Sequence, residues 1–526
     1  MRRSSSRNAV LVGSGILLSR VLGLVRERIF AHYFGNSDAA DAFKAALKIP
    51  NLLQNLFGEG ALSSSFIPVY ANLIASGDKE EANRVARVIG SILVLAMSVL
   101  VLAGVLATPL LIDLIAPGFK GVKRDSTIQM VRVMFPGVGV LVLSAWCLGI
   151  LNSHRRFFLP YAAPILWNAA MIAALVGFGG TMQGYDLAEI VAWGSVAGSL
   201  LQFGVQIPSV IHLAGRFRFQ IDAVSANVKT IVRNFIPGVA GRGVNQISSY
   251  IDVTLASLLA TGGAVAALAY TQTIYLLPVS LFGMSISNAE LPEMASQSGS
   301  QETVAAALRE RLRSAKRRVL FFIIPSTAAF LALGDSISAL LYQTGKFTRG
   351  NAEYVWAVLA GYTVGLQAAT LGRLYTSAFW ALRDTRTPLR FASIRVALAA
   401  GLGWFLAFPV SRWLDVPSHL GLVGLTLSAG IAAWVEFALL RSSMHRRIGK
   451  ANLEPSFTVK LWAIAIGAAA VAFAIKGRTD ALPPLISGTF VLAVFGMIYF
   501  GGAAALKMPE ALQLLHALIS RFRVKS

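Results

Sequence analysis

Long apolar runs, each roughly the length of a bilayer-crossing helix, alternate along the chain with short polar connections. They lie near 9–32, 41–74, 86–115, 128–152, 157–179, 187–213, 228–260, 264–294, 317–343, 352–380, 388–410, 418–441, 457–476 and 482–505. A bilayer core takes about 20 apolar residues per helix, so the pattern predicts an all-α polytopic membrane protein with about 14 transmembrane helices. The second run is long enough to kink, and Pro50 is the expected place.

Basic residues fall mostly on alternate connections. The N-terminal end, the connections after even-numbered runs and the C-terminal tail hold about 29 Lys and Arg, against about 8 after odd-numbered runs. The clusters are Arg155–Arg156, Arg216 to Arg233, Arg309 to Arg318, Arg383 to Arg390 and Arg441 to Lys450. Under the positive-inside rule this bias puts both termini on the cytoplasmic side. Lys120, Lys123 and Arg124 are the main exception. The opening Met1-Arg2-Arg3-Ser4 imitates the start of a signal peptide. The apolar run after it contains Arg20, passes Arg26 and lacks a small-residue cleavage site, so it is expected to stay as the first span. Beyond the last run, Leu512, Leu515, Ile519 and Phe522 recur at helical spacing beside Arg521, Arg523 and Lys525. This predicts an amphipathic helix lying on the membrane surface.

Composition agrees. The 526 residues are 55% hydrophobic and only 14% charged, where a soluble chain would carry about a quarter. The net charge of +22 would suit nucleic acid if it were gathered on one domain, but it is dispersed between apolar runs, which excludes that class of partner. Cys147 is the only cysteine and the six histidines show no ligand spacing, so neither an internal disulfide nor a zinc site is expected.

Two proline pairs suggest an internal repeat. Pro50 and Pro278, and again Pro68 and Pro292, stand roughly 228 residues apart, each followed by a polar, basic segment. An offset of six spans preserves orientation and implies a parallel repeat of two six-helix lobes, with a transport site expected between them. The expected divisions are an N-terminal lobe at 1–220, a second lobe at 221–450, two further helices at 451–506 and the amphipathic helix at 507–526.

The spans are not uniform. An ionisable group at mid-bilayer costs at least about 2.5–3.5 kcal/mol on insertion scales, so such residues are functional candidates. Arg20, Arg26, Glu27 and Arg28 interrupt the first run, with Arg20 and Glu27 about 20° apart on an ideal helix. In the second run Asp41, Lys44, Lys48, Asn51, Asn55 and Glu59 form one continuous polar face. Arg242, Asn245, Gln246, Ser249 and Asp252 form a similar face in the seventh run, and Gln272 lies in the eighth. Plainer roles compete. Arg28 suits a snorkel to the interface, Lys44 could do the same, Asp41 could cap the second helix, and hydrogen-bonding faces can be interhelical glue. Glue does not need net charge, however. Arg20, Arg26, Lys48 and Arg242 therefore favour a water-filled cationic cavity. Such a cavity selects an anion such as phosphate or pyrophosphate, to which Arg offers bidentate hydrogen bonds. No P-loop, HExxH, nucleophile elbow or paired-carboxylate site is present, so no catalysis and no cofactor are expected. Energy would come from membrane potential, a monovalent cation or the substrate gradient.

Ser19-Arg20-Val21-Leu22-Gly23, Val25-Arg26-Glu27, Asp41-Ala42-Phe43, Lys48-Ile49-Pro50-Asn51-Leu52, Gly58-Glu59-Gly60-Ala61 and Phe66-Ile67-Pro68 together resemble the MurJ (MviN) family. Arg383-Asp384-Thr385-Arg386-Thr387-Pro388 extends the likeness over most of the chain. These are lipid II flippases of bacterial peptidoglycan synthesis, within the MOP superfamily. The resemblance implies a MOP-type fold in the inner membrane, a monomer among membrane lipids, and lipid II as the substrate carried by alternating access. The family's essential positive charges fall on Arg20 and Arg26 and its aspartate on Asp41. Two further family arginines fall on Gln54 and Thr273, and an acidic position falls on Leu276. Arg242 and Lys48 are the candidate substitutes. A sodium site of some members would touch Asp252, but the eleventh run offers Arg395 in place of Asn or Asp. The alternatives are a diverged paralogue flipping another polyprenyl-linked saccharide and a MATE-like antiporter, although the latter favours an acidic cavity. A membrane scaffold would not explain buried arginine, and the external loops are too short for a glycosyltransferase site.

Overall fold

A computed structural model describes residues 2–523 apart from 221, 223, 224, 260, 298, 299, 416 and 480. Side chains are also left undescribed at 2–13, 59, 237, 238, 240–245, 247, 248, 301 and 517–523. The described chain is helical, with no β-strand among the described residues. It divides into two compact units, Met1–Ala266 with Thr344–Phe347, and Ala267–Gln343 with Thr348–Ser526.

The first unit holds α1 (Arg2–Phe34), α2 (Asp38–Phe57), α3 (Glu59–Ala75), α4 (Lys79–Ile115) and α5 (Gly121–Ser153). It continues with α6 (Phe158–Ala162), α7 (Pro164–Phe178), α8 (Gly184–Gly204), α9 (Ile207–Ala214) and α10 (Ala226–Ser257). The seventh run, α10, was expected to open the second lobe, but it packs in the first unit. Val228 and Ile231 join Phe66, Tyr70, Ile89 and Trp146 in one core, and Phe235 packs on Phe57 with the rings tilted and 5.9 Å apart. Burying those side chains ties α10 to α3, α4 and α5.

The second apolar run does not break at Pro50, which sits buried inside α2. The break comes at Gly58, whose ψ of −145° ends one helix and starts the next. Gly58 N–H donates to Gln54 O at 2.8 Å, and a Cβ there would lie 2.2 Å from that carbonyl oxygen. Only glycine fits so close an approach.

The second unit contains α11 (Ala264–Pro278, which enters it at Ala267), α12 (Ser285–Ala295), α13 (Gln301–Tyr342), α14 (Arg349–Thr363) and α15 (Leu366–Ala381). After these come α16 (Arg386–Phe405), α17 (Ser411–Trp413), α18 (Gly421–Ile448), α19 (Pro455–Thr479), α20 (Pro484–Ala505) and α21 (Pro509–Arg523). Between α11 and α12, Val279–Met284 forms a π-helical turn directly after Pro278, and Pro292 lies inside α12. In the first unit the interruption at Gly58 falls between Pro50 and Pro68, and in the second the π-helical turn falls between Pro278 and Pro292. Glu510 of α21 pairs with Arg317 at 2.8 Å, while Leu512 and Leu515 of the same helix stay exposed.

Among the described residues, ten helical segments are long and apolar enough to cross a membrane. The pair α14 and α15, bent by 46°, makes an eleventh. The expected spans that fall outside this apolar set are the first, the second and the seventh. These are the ones whose polar faces the sequence singles out, so apolarity alone undercounts where polar side chains are concentrated. The chain is a polytopic, all-helical membrane protein.

Candidate substrate site

Three charges from α1 and α2 meet. Arg26 pairs with Glu27 at 2.6 Å and Lys44 closes on the other oxygen of the same carboxylate. Aromatic faces support both cations: Arg26 lies 4.8 Å from the Trp167 ring and Lys44 lies 4.3 Å from Phe30. The turn at 35–37 makes this meeting possible, with the Ser37 hydroxyl accepting from Ala40 N–H and so starting α2. The outward snorkel considered for Lys44 is therefore overturned, because its side chain is only 8% exposed. The trio carries a net charge of +1 in a site where desolvation makes charge costly. Arg20 lies exposed on α1, two turns nearer the N-terminus.

Asp41 has a different setting. It does not cap its own helix. Its carboxylate accepts from Gly263 N–H at 2.8 Å and Ala266 N–H at 2.7 Å, the first turn of the helix that begins at Ala264. A carboxylate there meets unpaired amide donors and the positive end of the helix dipole. Lys123 binds both Asp41 and Asp38 at 2.7 Å. Arg124 forms a two-pronged contact with Asp113 at 2.7 and 2.9 Å. Two of the three basic residues that break the charge alternation are thus matched by carboxylates.

The polar faces of the second and seventh runs lie together within the first unit. Tyr250 donates to Lys48 O at 2.9 Å, Asn55 donates to Gln246 Oε1 at 3.3 Å, and Asp252 lies within electrostatic reach of Lys48. Asn51 is partly exposed on the same helix. Arg242, Asn245 and Glu59 lie on α10 and α3, but their side chains fall outside the described residues. Lys48 is a charged neighbour of Asp252, the candidate ion ligand, and among the described residues no group of three or more His, Cys, Asp or Glu could hold a metal ion.

In the second unit, Gln272 donates to the Tyr362 hydroxyl at 3.2 Å, and Tyr275 packs on the Tyr362 ring at 5.1 Å. Thr273 turns its hydroxyl back to Ala269 O at 3.0 Å. Arg395 pairs with Glu436 at 3.0 Å, joining α16 to α18. Arg373, which sequence reasoning passed over, lies within electrostatic reach of both. Its signal was available, because it is the only charge between Glu353 and Arg383.

A family model described as "Lipid II flippase MurJ" matches residues 30–500. The "Probable lipid II flippase MurJ" of Rhizobium meliloti (strain 1021) is 32% identical over 503 residues, covering 94% of this chain and 90% of that protein. "Lipid II flippase MurJ" of Burkholderia cenocepacia is 30% identical, covering 84% of each. A solved structure of lipid II flippase MurJ in an inward closed conformation aligns with a TM-score of 0.74 at 24% identity, covering 93% of this chain and 99% of that one. An inward-facing MATE transporter of the MOP superfamily aligns at 0.63 with 17% identity over 83% of this chain and 98% of its own, which establishes a shared fold. The match over nearly the whole length shows that this chain belongs to the MurJ lipid II flippase family.

Proposed function

We propose that the protein moves lipid II across the cytoplasmic membrane, from the inner to the outer leaflet, with both of its termini on the cytoplasmic side. The observation that carries the reading is the Arg26–Glu27–Lys44 trio, surplus positive charge held among membrane-crossing helices of a chain of this family. Lipid II presents a pyrophosphate and sugars to such a site while its polyprenyl tail remains in the bilayer. Arginine answers the pyrophosphate with paired donors, and Lys48, Asn51, Asn55 and Gln246 offer a polar wall for the sugars. Asp41 contributes by holding the first turn of the Ala264 helix.

Transport requires no bond to form or break. It requires binding residues that face one side of the membrane and then the other, with different affinity in the two states. The interrupted helices at Gly58 and after Pro278 are where such a change is most easily absorbed, since broken helices in both halves of a transporter mark its moving, ligand-binding parts. The protein works as a monomer without a cofactor, drawing on membrane potential or a monovalent cation. Depletion of the protein in its host tests this reading. Lipid II is expected to accumulate on the cytoplasmic side, and normal delivery to the outer leaflet would refute the assignment and favour transport of another polyprenyl-linked saccharide.

A further inference from the structure

The basic end of α18 carries a cleft that the transport reading does not use. It has a volume of about 590 Å³ and runs along one face of the helix, from Trp434 and Phe437 to Arg441, His445, Arg446 and Lys450. At 1.5 Å per residue these span about 16 Å from Trp434 to His445, so the cleft passes from the apolar part of a membrane helix to its charged end. The apolar end is rigid. Trp434 donates to Val364 O at 2.8 Å, its ring meets Phe437 at 5.9 Å, and Phe437 packs edge-on against buried Tyr375 at 5.5 Å.

Among the described residues, the charged end has no carboxylate in its lining. The neighbouring acids are engaged elsewhere: Glu436 by Arg395, Asp384 by Arg447, and Glu454 faces Arg313. Among the described residues, Arg441 donates to the neutral Asn452 Oδ1 at 3.2 Å and pairs with no carboxylate. His445 also lines the cleft, and its Nε2 is buried without a protein hydrogen-bond partner. The turn after α18 is fixed as well. Gly449 adopts φ +82° and donates to His445 O, and Lys316 holds Ala451 O at 2.7 Å, which sets Lys450 at the rim.

We propose that this cleft is a binding site for an anionic diacyl phospholipid. The phosphodiester sits among Arg441, His445, Arg446 and Lys450, and the start of an acyl chain lies on Trp434 and Phe437. Basic pockets at the membrane boundary hold acidic headgroups, and an aromatic floor adds affinity that a free phosphate cannot use.

Native mass spectrometry of the full-length detergent-solubilised protein tests this, with phosphatidylglycerol and phosphatidylcholine in competition. Phosphatidylglycerol should be retained preferentially. Replacing Arg441, Arg446 and Lys450 together by Gln should weaken it on the order of a hundredfold, about fivefold per charge, while phosphatidylcholine changes little. Arg441→Lys with Arg446→Lys should keep most of the affinity, and millimolar inorganic phosphate should not displace the lipid. If the triple variant fails to fold, Arg446→Gln and Lys450→Gln singly should each still lose about fivefold. Equal retention of the two lipids, unchanged binding in the Gln variants, or ready displacement by phosphate would each overturn the proposal.

Discussion

Glu27→Gln is the most demanding perturbation of the first unit, because it keeps shape and removes charge. It leaves Arg26 and Lys44, with side chains 13% and 8% exposed, facing each other without a carboxylate. Removing one partner of a buried ion pair costs about 3–5 kcal/mol, since the remaining charge stays desolvated. Lys44→Met alone should cost less. It leaves Glu27 with Arg26 and gives up one charge-assisted hydrogen bond, about 1.5–3 kcal/mol, together with the contact to Phe30. The double variant relieves the repulsion that Glu27→Gln creates, so its cost should fall short of the sum of the singles by roughly 1–3 kcal/mol. Cys147 supplies the assay. It is the only cysteine, fully buried, and a thiol-reactive dye in mixed micelles will report its exposure as the first unit unfolds. Strict additivity, or a Glu27→Gln protein as stable as the wild type, would show that the trio does not hold α1 to α2.

Two other predictions follow from local geometry. Asp384 accepts from the backbone N–H of Thr387 at 3.0 Å and of Arg386 at 3.1 Å, and it pairs with Arg447 at 2.6 Å. The Thr387 amide first, then its hydroxyl and the Arg447 guanidinium, lower the carboxyl from its ordinary 3.8 to about 2. A depressed carboxyl stabilises the fold fully above its unfolded value and loses that contribution as pH falls through the folded one. Limited proteolysis of the 382–387 connection should therefore rise between about pH 4 and pH 2 in the wild type, whereas Asp384→Asn should be more sensitive already at neutral pH, with that acid step gone. Gly365→Ala should destabilise the second unit by about 1–3 kcal/mol in a mixed-micelle unfolding titration followed by loss of helical circular dichroism, because its Cβ would stand 2.4 Å from Gly430 Cα where the α14–α15 bend crosses α18.

Span positions were legible in the sequence because bilayer-length apolar runs need no tertiary context. The polar faces of the second and seventh runs were legible for the same reason, as three- and four-residue spacing places side chains on one face. What those faces would meet was not. Lys44 could be placed on the polar face or as a snorkel, and nothing local shows that the turn at 35–37 brings it to Glu27. Asp41 could be placed on the polar face or as a cap of its own helix, yet its partners Gly263 and Ala266 lie more than 220 residues away. Pro50 remains inside α2, and the run is interrupted instead at Gly58, whose approach to Gln54 O admits no side chain. Pairing of Lys123 and Arg124 with carboxylates likewise depends on contacts that charge counting does not contain.

The central claim is tested most directly by reconstituting the purified protein into liposomes with fluorescent lipid II on one leaflet. The signal is the rate at which a membrane-impermeant reagent gains access to it from the other side. Faster transfer than in protein-free liposomes is predicted, with that gain lost in Arg26→Ala and absent for a polyprenyl-pyrophosphate carrying an unrelated saccharide. Transfer no faster than in empty liposomes, or equal transfer of both lipids, would contradict it.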